Sequence, residues 1–295
     1  MHTVRAEHQL FAFRPDAEPV LRVTDGAIVR LETSAAPVER LLTAGDRWLA
    51  QFEAREINAL TGPVFIEGVE PGDAVAVEVL AIGTLDWSWN AFVPRFGALG
   101  LAAVAPYLRR LPIRDGLIEL SPGRSVPVRP MIGCLGLAPA AGESSTLSPP
   151  YPWGGNYDLA QVSPGSTILF PAQVAGGLFS LGDLHAAMGD GEGTGVAIEC
   201  AGAATVRLSI RRGVPLVTPR IETADRIFTI GLSPERDYAA ARRQALNLLF
   251  AYLTAERGRS GQDAMLLIAA AADLHFGGPA AAVVLASVPR VLLEA

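Results

Sequence analysis

Residues 179–192, FSLGDLHAAMGDGE, are the stretch that most strongly indicates how the chain folds. We interpret residues 178–185 as a β-strand, followed by a turn rich in glycine and aspartate. Successive side chains of a strand point to opposite faces, so four of these residues share one face: Phe179, Leu181, Asp183 and His185. The prediction is a carboxylate and an imidazole that project side by side from an apolar surface.

Asp183 and His185 are two residues apart, a spacing that lets two side chains of a strand bind one divalent ion. Aspartate oxygen and neutral histidine nitrogen are common metal ligands. The alternative is a hydrogen-bonded pair in the core without metal, and the spacing alone leaves both open. Residues 189–192 do not form an EF-hand loop, because the alternating oxygen ligands and the terminal bidentate glutamate are missing.

Two other segments contain candidate polar side chains. In GGNYD, residues 154–158, Asn156 and Asp158 have the same spacing, and the two glycines allow a ligand to approach the backbone closely. A Gly-Gly-Asn turn that enters a strand explains this segment as well. Glu67 ends the apolar run in TGPVFIEG, residues 61–68, where an isolated carboxylate is usually solvated.

The rest of the chain has the pattern of antiparallel β structure that ends in helices. Short apolar runs are separated by turn signals such as Asp25-Gly26. The predicted strands are residues 20–23, 28–31, 64–66, 74–80, 126–128, 132–137, 166–170, 196–199 and 205–210. One helix is predicted within residues 37–57, a long loop at 138–155, and alanine-rich helices over 233–257 and 261–275. The fold class is therefore α+β, mostly β, with a C-terminal pair of helices.

All 24 basic side chains of this 295-residue chain are arginine. A chain without lysine has no Schiff-base lysine, no phosphate-loop lysine and no lysine general base, because arginine does not lose its proton at working pH. The net charge is −6 and the arginines are scattered. We therefore expect no nucleic-acid partner.

The two cysteines, Cys134 and Cys200, are far apart and lie in apolar surroundings. They form no CxxC pair, so we interpret them as reduced core residues of a cytoplasmic protein. Residues 1–11 lack the apolar run of a secretory signal. The longest apolar stretch, residues 264–272, is about half the roughly 18 residues that suggest a membrane span, so no membrane association is expected.

Several blocks of the sequence resemble the acetamidase/formamidase family of amide hydrolases. They follow the family's order over nearly the whole chain, and GDLHAAMGDGE at residues 182–192 is the most specific of them. The other blocks are PVLRV at 19–23 with Glu32-Thr33, TGPVFIEGVEPGD at 61–73, VRPMIG at 128–133, GGNYD at 154–158 and AIE at 197–199.

The resemblance implies one mostly β unit made of two packed, sandwich- or barrel-like sub-domains. Their approximate bounds are residues 1–125 and 126–230, and a helical part follows at about 231–295. It also implies hydrolysis of non-peptide carbon–nitrogen bonds in short linear amides, so that formamide or acetamide becomes carboxylate and ammonia. The implied cofactor is a divalent metal, usually zinc with calcium as the alternative, and a homo-oligomer is expected, first of all a dimer.

The candidate site residues follow from these blocks and from the chemistry of amide hydrolysis. The predicted metal ligands are His8, Asp158, Asp183 and His185. A metal ion lowers the pKa of bound water from 15.7 towards about 7. Glu192 is the predicted general base and then acid, with Glu67 as second candidate. Asn156 is a predicted donor to the oxyanion.

The sequence departs from the family at Asn58, where members commonly have a histidine three residues before the Thr-Gly-Pro block. This difference predicts an altered metal or substrate contact. Lysine-dependent amidases are excluded, a Gly-x-Ser-x-Gly elbow is absent, and Cys134 and Cys200 lack a motif that would lower their pKa. The alternative function is a non-catalytic, metal-stabilised protein that binds a small ligand.

Overall fold

A computed structural model of the chain describes residues 1–94, 96–97, 104–147 and 150–293. Its helices are α1 (Ala36–Thr43), α2 (Ala54–Ile57), α3 (Tyr238–Ala251) and α4 (Gly261–Ala271), with 3-10 turns at Gly45–Gln51 and Arg290–Leu293 and a π-helical turn at Tyr252–Glu256. The predicted helix within 37–57 is therefore divided into three short pieces. The predicted loop at 138–155 contains two short strands, and its residues 148–149 lie outside the described ranges.

Strands make up most of the regular structure, which confirms the mostly β fold class. They are β1 (His2–Val4), β2 (Gln9–Leu10), β3 (Ala12–Phe13), β4 (Leu21–Val23), β5 (Ala27–Glu32), β6 (Leu60–Ile66), β7 (Ala74–Thr84), β8 (Trp87–Phe92), β9 (Tyr107–Arg114), β10 (Leu117–Ser121), β11 (Arg124–Pro127), β12 (Met131–Gly136), β13 (Ser144–Ser145), β14 (Gly154–Asn156), β15 (Thr167–Pro171), β16 (Phe179–Ala187), β17 (Ile198–Cys200), β18 (Gly202–Arg211), β19 (Arg220–Glu222), β20 (Arg226–Ser233), β21 (Asp273–Phe276) and β22 (Ala282–Pro289).

Two large sheets contain most of these strands. One has the order β1-β5-β18-β7-β15-β19-β20-β22-β21, and the other has β11-β10-β9-β8-β17-β16-β12-β14 with β2, β4 and β6 attached through β6. Each sheet contains strands from both sides of residue 125. The predicted division into sub-domains at about 125 therefore does not coincide with a division between the sheets. Fully buried side chains from both sheets, among them Val77, Leu135 and Val206, pack into one hydrophobic core.

Strand β16 changes its neighbour in the middle. Its first half pairs with β6, where Leu181 is opposite Thr61, and its second half pairs with β17, where His185 is opposite Glu199. Asp183 lies at this fork with φ +56°. The two neighbouring strands diverge there, and a small cavity lined by residues of both, including Thr61 and Glu199, lies between them.

The predicted face of β16 is wrong in one respect. Phe179 and Leu181 pack in the same hydrophobic core as Leu184 and Ala186. In a regular strand the odd-numbered and the even-numbered residues would point to opposite faces. The alternation therefore reverses at Asp183, because its left-handed backbone conformation interrupts the pleat. Asp183 and His185 do share a face, but Phe179 and Leu181 do not share it with them.

The C-terminal part differs from the prediction after residue 271. Helix α3 begins at the cap Asp237, whose side chain accepts from the Ala240 amide, and α4 begins at the cap Ser260. Both were predicted, but α4 ends at Ala271, and residues 273–276 form β21 at the edge of the large sheet. His275 therefore lies in a strand and not at a helix C-terminus. In the part of the chain that the structure describes, no helix combines the length and apolarity needed to cross a bilayer.

Candidate active site

Five ionisable side chains converge beside the fork in β16. His185 Nε2 lies 3.3 Å from Glu199 Oε2, 3.5 Å from Asp183 Oδ1 and 3.9 Å from Asp158 Oδ1. The fifth group is Glu192, whose ligand atom lies within 4.8 Å of those of His185 and Glu199. His185 and Asp158 are each 1% exposed, so this is a cluster of charged groups inside the protein.

Three of the carboxylate residues have an unusual backbone conformation. Asp158, Asp183 and Glu192 have φ values of +47°, +56° and +39°, a region that non-glycine residues rarely adopt. Such conformations cost on the order of 1–3 kcal/mol each and are enriched at functional sites. Three of the six non-glycine residues with positive φ in the described part of the chain lie in this one cluster.

Gly133 of β12 forms the floor of the cluster. A Cβ atom at this position would lie 2.6 Å from Asp158 Oδ1, 2.6 Å from Asp183 Oδ2 and 3.0 Å from His185 Nε2. Any side chain here would occupy the space towards which these three ligand atoms point. The glycine therefore keeps a small volume open between them.

Burial and mutual repulsion perturb the protonation of the cluster. Burial raises the pKa of Glu199 to about 8; His185 opposes this, while Asp183 and Glu192 add to it. Burial also raises the pKa of Asp158 well above its usual value and raises that of Glu192. Burial disfavours the charged form of His185, but the carboxylates of Glu199 and Asp183 outweigh it and raise its pKa well above the usual value.

A cavity of about 100 Å³ opens onto the cluster. Asp158, Asp183, Glu192 and Glu199 line one part of it together with Asn58 and Asn156. The remaining lining residues are apolar or glycine: Phe52, Ala54, Ile57, Trp89, Phe96, Leu147, Gly195 and Val196. A cavity with convergent polar groups and an apolar wall is typical of a small-ligand site.

Two asparagines connect the cavity wall to Asp158. The Asn58 amide Nδ2 donates to Asn156 Oδ1 at 2.9 Å, and Asn156 Nδ2 donates to Asp158 Oδ2 at 3.0 Å. Asn156 thereby orients the carboxylate of Asp158. This bond uses one of the two amide hydrogens of Asn156.

The structure brings together five of the seven residues predicted for the site: Asn156, Asp158, Asp183, His185 and Glu192. His8 and Glu67 are not among the described residues that line this cavity. The His8 side chain is exposed, and its backbone oxygen accepts from the Gly62 amide. Glu67 is exposed after the end of β6 and is not among the described residues that line the cavity. The predicted roles of His8 as a metal ligand and of Glu67 as second candidate for the general base stay predictions.

Glu199 belongs to the cluster but is not among the residues predicted for the site. A signal for it exists: an apolar strand at 196–199 ends in a glutamate and follows the strand of Asp183 and His185 after a short glycine-rich segment. An antiparallel hairpin over this segment places Glu199 opposite His185, as observed. Glu199 can be assigned to the site only when these two strands are recognised as a hairpin.

The likeness of the chain to known proteins extends over almost its full length. The model of the acetamidase/formamidase family matches residues 3–142 and 118–289. A formamidase from Methylophilus methylotrophus is 28% identical, over 90% of this chain and 84% of that protein. A solved acetamidase from Bacillus halodurans has a TM-score of 0.90 at 28% identity and covers 99% and 98% of the two chains.

A second solved structure, a predicted acetamidase/formamidase from Thermoanaerobacter tengcongensis, has a TM-score of 0.92 at 27% identity, over 99% of this chain and 97% of that one. With a fold shared over this length and a buried carboxylate cluster in a cavity, the chain is an amidohydrolase. It belongs to the acetamidase/formamidase family.

Proposed function

We propose that this amidohydrolase cleaves short primary amides, such as formamide and acetamide, to carboxylate and ammonia with the help of a divalent metal ion. The observation that carries the proposal is the convergence of four carboxyl groups on His185 in the wall of a small cavity. The names of the related formamidase and acetamidase support the substrate class.

The negative charge of the cluster supports the binding of a divalent cation there. One imidazolium cannot balance the carboxylates of Asp158, Asp183, Glu192 and Glu199, and buried charges without partners are strongly disfavoured. Asp158 Oδ1 is buried without a hydrogen-bond partner among the described residues, although it faces the space above Gly133. A divalent cation there would satisfy this oxygen and reduce the repulsion between the carboxylates.

The distances support the same interpretation. Ligands at 2.0–2.2 Å around a tetrahedral ion are roughly 3.3–3.6 Å apart. His185 Nε2 lies 3.3 Å from Glu199 Oε2, 3.5 Å from Asp183 Oδ1 and, slightly beyond this range, 3.9 Å from Asp158 Oδ1. We assign Asp158, Asp183 and His185 as the metal ligands because ligand atoms of all three border the space above Gly133. One nitrogen and two carboxylates suit zinc better than calcium, which takes six to eight oxygen ligands.

When bound, such an ion polarises a carbonyl group and lowers the pKa of a water molecule. The protein's own groups supply the remaining steps. Glu192, which lines the cavity beside this triad, accepts a proton from the attacking water and passes it to the departing nitrogen. Asn156 holds Asp158 in place and directs its second amide hydrogen at the developing oxyanion.

We also propose that the chain forms a homo-oligomer. Helix α4 supports this, because Met265 and Leu266 are 59% and 68% exposed on a surface helix that is almost entirely apolar. Light scattering after size-exclusion chromatography gives the mass of the particle. A mass of one chain at micromolar concentration would contradict this proposal.

The function is tested by metal analysis combined with ammonia release. The purified protein should contain stoichiometric metal and release ammonia from formamide or acetamide, and a chelator should abolish turnover until zinc is restored. Asp183→Asn should lose both metal and activity by ~10²-fold or more. The matched control, Asp86→Asn at an exposed carboxylate, should keep both.

Two results would contradict this account in different ways. Full metal occupancy without ammonia from any short amide would favour a metal-stabilised protein that binds a small ligand without catalysis. Undiminished turnover in metal-free protein would show that the amidase activity does not depend on the ion.

A further inference from the structure

Asn58 occupies a buried position at the junction between the ionisable cluster and the apolar wall. It follows α2 directly, is 6% exposed and lines the cavity together with Asn156 and Asp158. Most buried polar atoms have at least one hydrogen-bond partner, so an atom of Asn58 without one requires an explanation.

The orientation of the Asn58 amide is fixed by its neighbours. The Thr146 carbonyl oxygen lies 3.1 Å from Nδ2, and a carbonyl only accepts hydrogen bonds. Asn156 Oδ1 accepts from the same nitrogen at 2.9 Å. Both contacts require the NH₂ group of Asn58 on this side, so its oxygen points away from Thr146 and Asn156.

That oxygen, Asn58 Oδ1, is buried and has no hydrogen-bond partner among the described residues. Six side-chain atoms share this condition, and only Asn58 and Asp158 contribute such atoms from residues that line the cavity. Asp158 Oδ1 is accounted for by the proposed metal. Asn58 Oδ1 is an acceptor without a donor, and it belongs to a residue that lines the cavity.

The cavity wall next to Asn58 is apolar, in contrast to the ionisable cluster on the other side. Phe52 and Ile57 precede Asn58 in the chain, and the ring of Phe52 meets that of Phe96 edge to face, with centroids 6.1 Å apart. Leu147 and Val196 continue this apolar surface. A ligand that donates to Asn58 therefore has an apolar surface available for another part of the molecule.

We infer that Asn58 selects the amide group by accepting a hydrogen bond from the substrate N–H, and that the apolar wall favours a short alkyl acyl group over a hydrogen. Among the short primary amides of the proposed function, acetamide and propionamide are therefore preferred to formamide. This inference rests on the proposed function and specifies the substrate of the same site.

The first experiment uses the metal-loaded wild-type protein and an amide series. KM should fall roughly fourfold for each carbon added from formamide to acetamide to propionamide, as expected for burial of one methylene. Ile57→Ala should reduce this gain. A KM that is flat or rises along the series would overturn the role of the apolar wall.

The second experiment compares Asn58→Leu, a change of similar volume, with wild type. We expect kcat/KM for acetamide to fall by roughly tenfold or more, as for loss of a buried hydrogen bond. The inhibition constant of methyl acetate, a competitor of similar shape without an N–H, should change by less than about threefold. Metal content and the melting temperature establish that the variant is folded and loaded.

The outcomes separate the inference from the function on which it rests. If acetamide turnover and methyl acetate inhibition change equally in Asn58→Leu, Asn58 does not accept a hydrogen bond from the substrate N–H and the inference is wrong. The amidase function is unaffected by that result. If Asn58→Leu loses its metal, Asn58 acts on the ion and not on the substrate. If wild type releases no ammonia from any amide, both proposals fail.

Discussion

His185 and Glu199 are directly opposite each other on neighbouring antiparallel strands, with His185 Nε2 3.3 Å from Glu199 Oε2. The loop between these strands contains Glu192, and the first of them contains Asp183. One hairpin therefore supplies four of the five ionisable groups, and Asp158 is added from the loop after β14. A site built mostly on one local unit can be positioned accurately without long-range adjustments.

Gly133→Ala should abolish metal binding and lower ammonia release by ~10²-fold or more, because the new methyl group would fill the space between Asp158, Asp183 and His185. Elemental analysis and an ammonia assay measure the two effects. Gly83→Ala is the matched control, since a methyl there meets no atom within 4 Å. A Gly133→Ala protein with full metal and activity would place the ion outside this space.

His275→Ala should lower kcat roughly tenfold while metal content remains unchanged. His275 Nδ1 lies 2.9 Å from Asp190 Oδ2, and the Gly191 amide donates to the Phe276 carbonyl, so β21 anchors the loop that positions Glu192. His275→Gln, which keeps a donor, should retain part of the activity. His2→Ala, at an exposed histidine, serves as control. Equal kcat in His275→Ala and wild type would show that this anchor is not needed.

Cys134→Ala and Cys200→Ala should retain metal-dependent activity. Burial raises the pKa of both thiols, and the nearby carboxylates raise it further, so neither supplies a thiolate nucleophile at neutral pH. A thiol reagent such as Ellman's should react with neither cysteine in the native protein and with both after unfolding. Complete loss of turnover in one folded, metal-loaded cysteine variant would reopen a cysteine mechanism.

Glu256→Ala should lower the free energy of unfolding by about 2–3 kcal/mol. Arg220 is 7% exposed, donates to both oxygens of Glu256 at 2.7 and 2.8 Å, and lies over the ring of Tyr252, so its charge would lose its main partner. Urea titration measures the change. Asp16→Ala, in the exposed pair with Arg14, should leave the unfolding midpoint unchanged. Equal effects of both changes would contradict this assessment.

Much of the fold could be predicted because local patterns indicate single elements well. The strands at 28–31, 132–137, 166–170 and 205–210 and the start of α4 follow from apolar runs and turn residues, whereas α3 begins at Tyr238 and not at the predicted residue 233. The interleaving of the two sheets could not be read in this way, since it depends on pairings between residues far apart in the chain, such as Thr205 with Arg30.

The site, like the fold, could be predicted only where residues close together in sequence determine it. Asp183 and His185 lie close together in sequence, so their spacing alone indicated a shared face. The reversal at Asp183 was not foreseeable from alternation, because it arises where β6 gives way to β17. The change of neighbour from β6 to β17 brings Glu199 into the cluster, and this position could not be inferred before β16 and β17 were paired. His8 was assigned by resemblance alone, and nothing in its own segment tied it to the site.

The most direct test of the central claim is anomalous diffraction from crystals of the active protein, with data above and below the absorption edge of the metal found by elemental analysis. We predict one strong anomalous peak per chain in the space above Gly133, about 2.0–2.2 Å from Asp158, Asp183 and His185 if the ion is zinc. Active crystals whose only anomalous peak lies elsewhere, or that show none, would contradict the proposal that these three residues hold the catalytic ion.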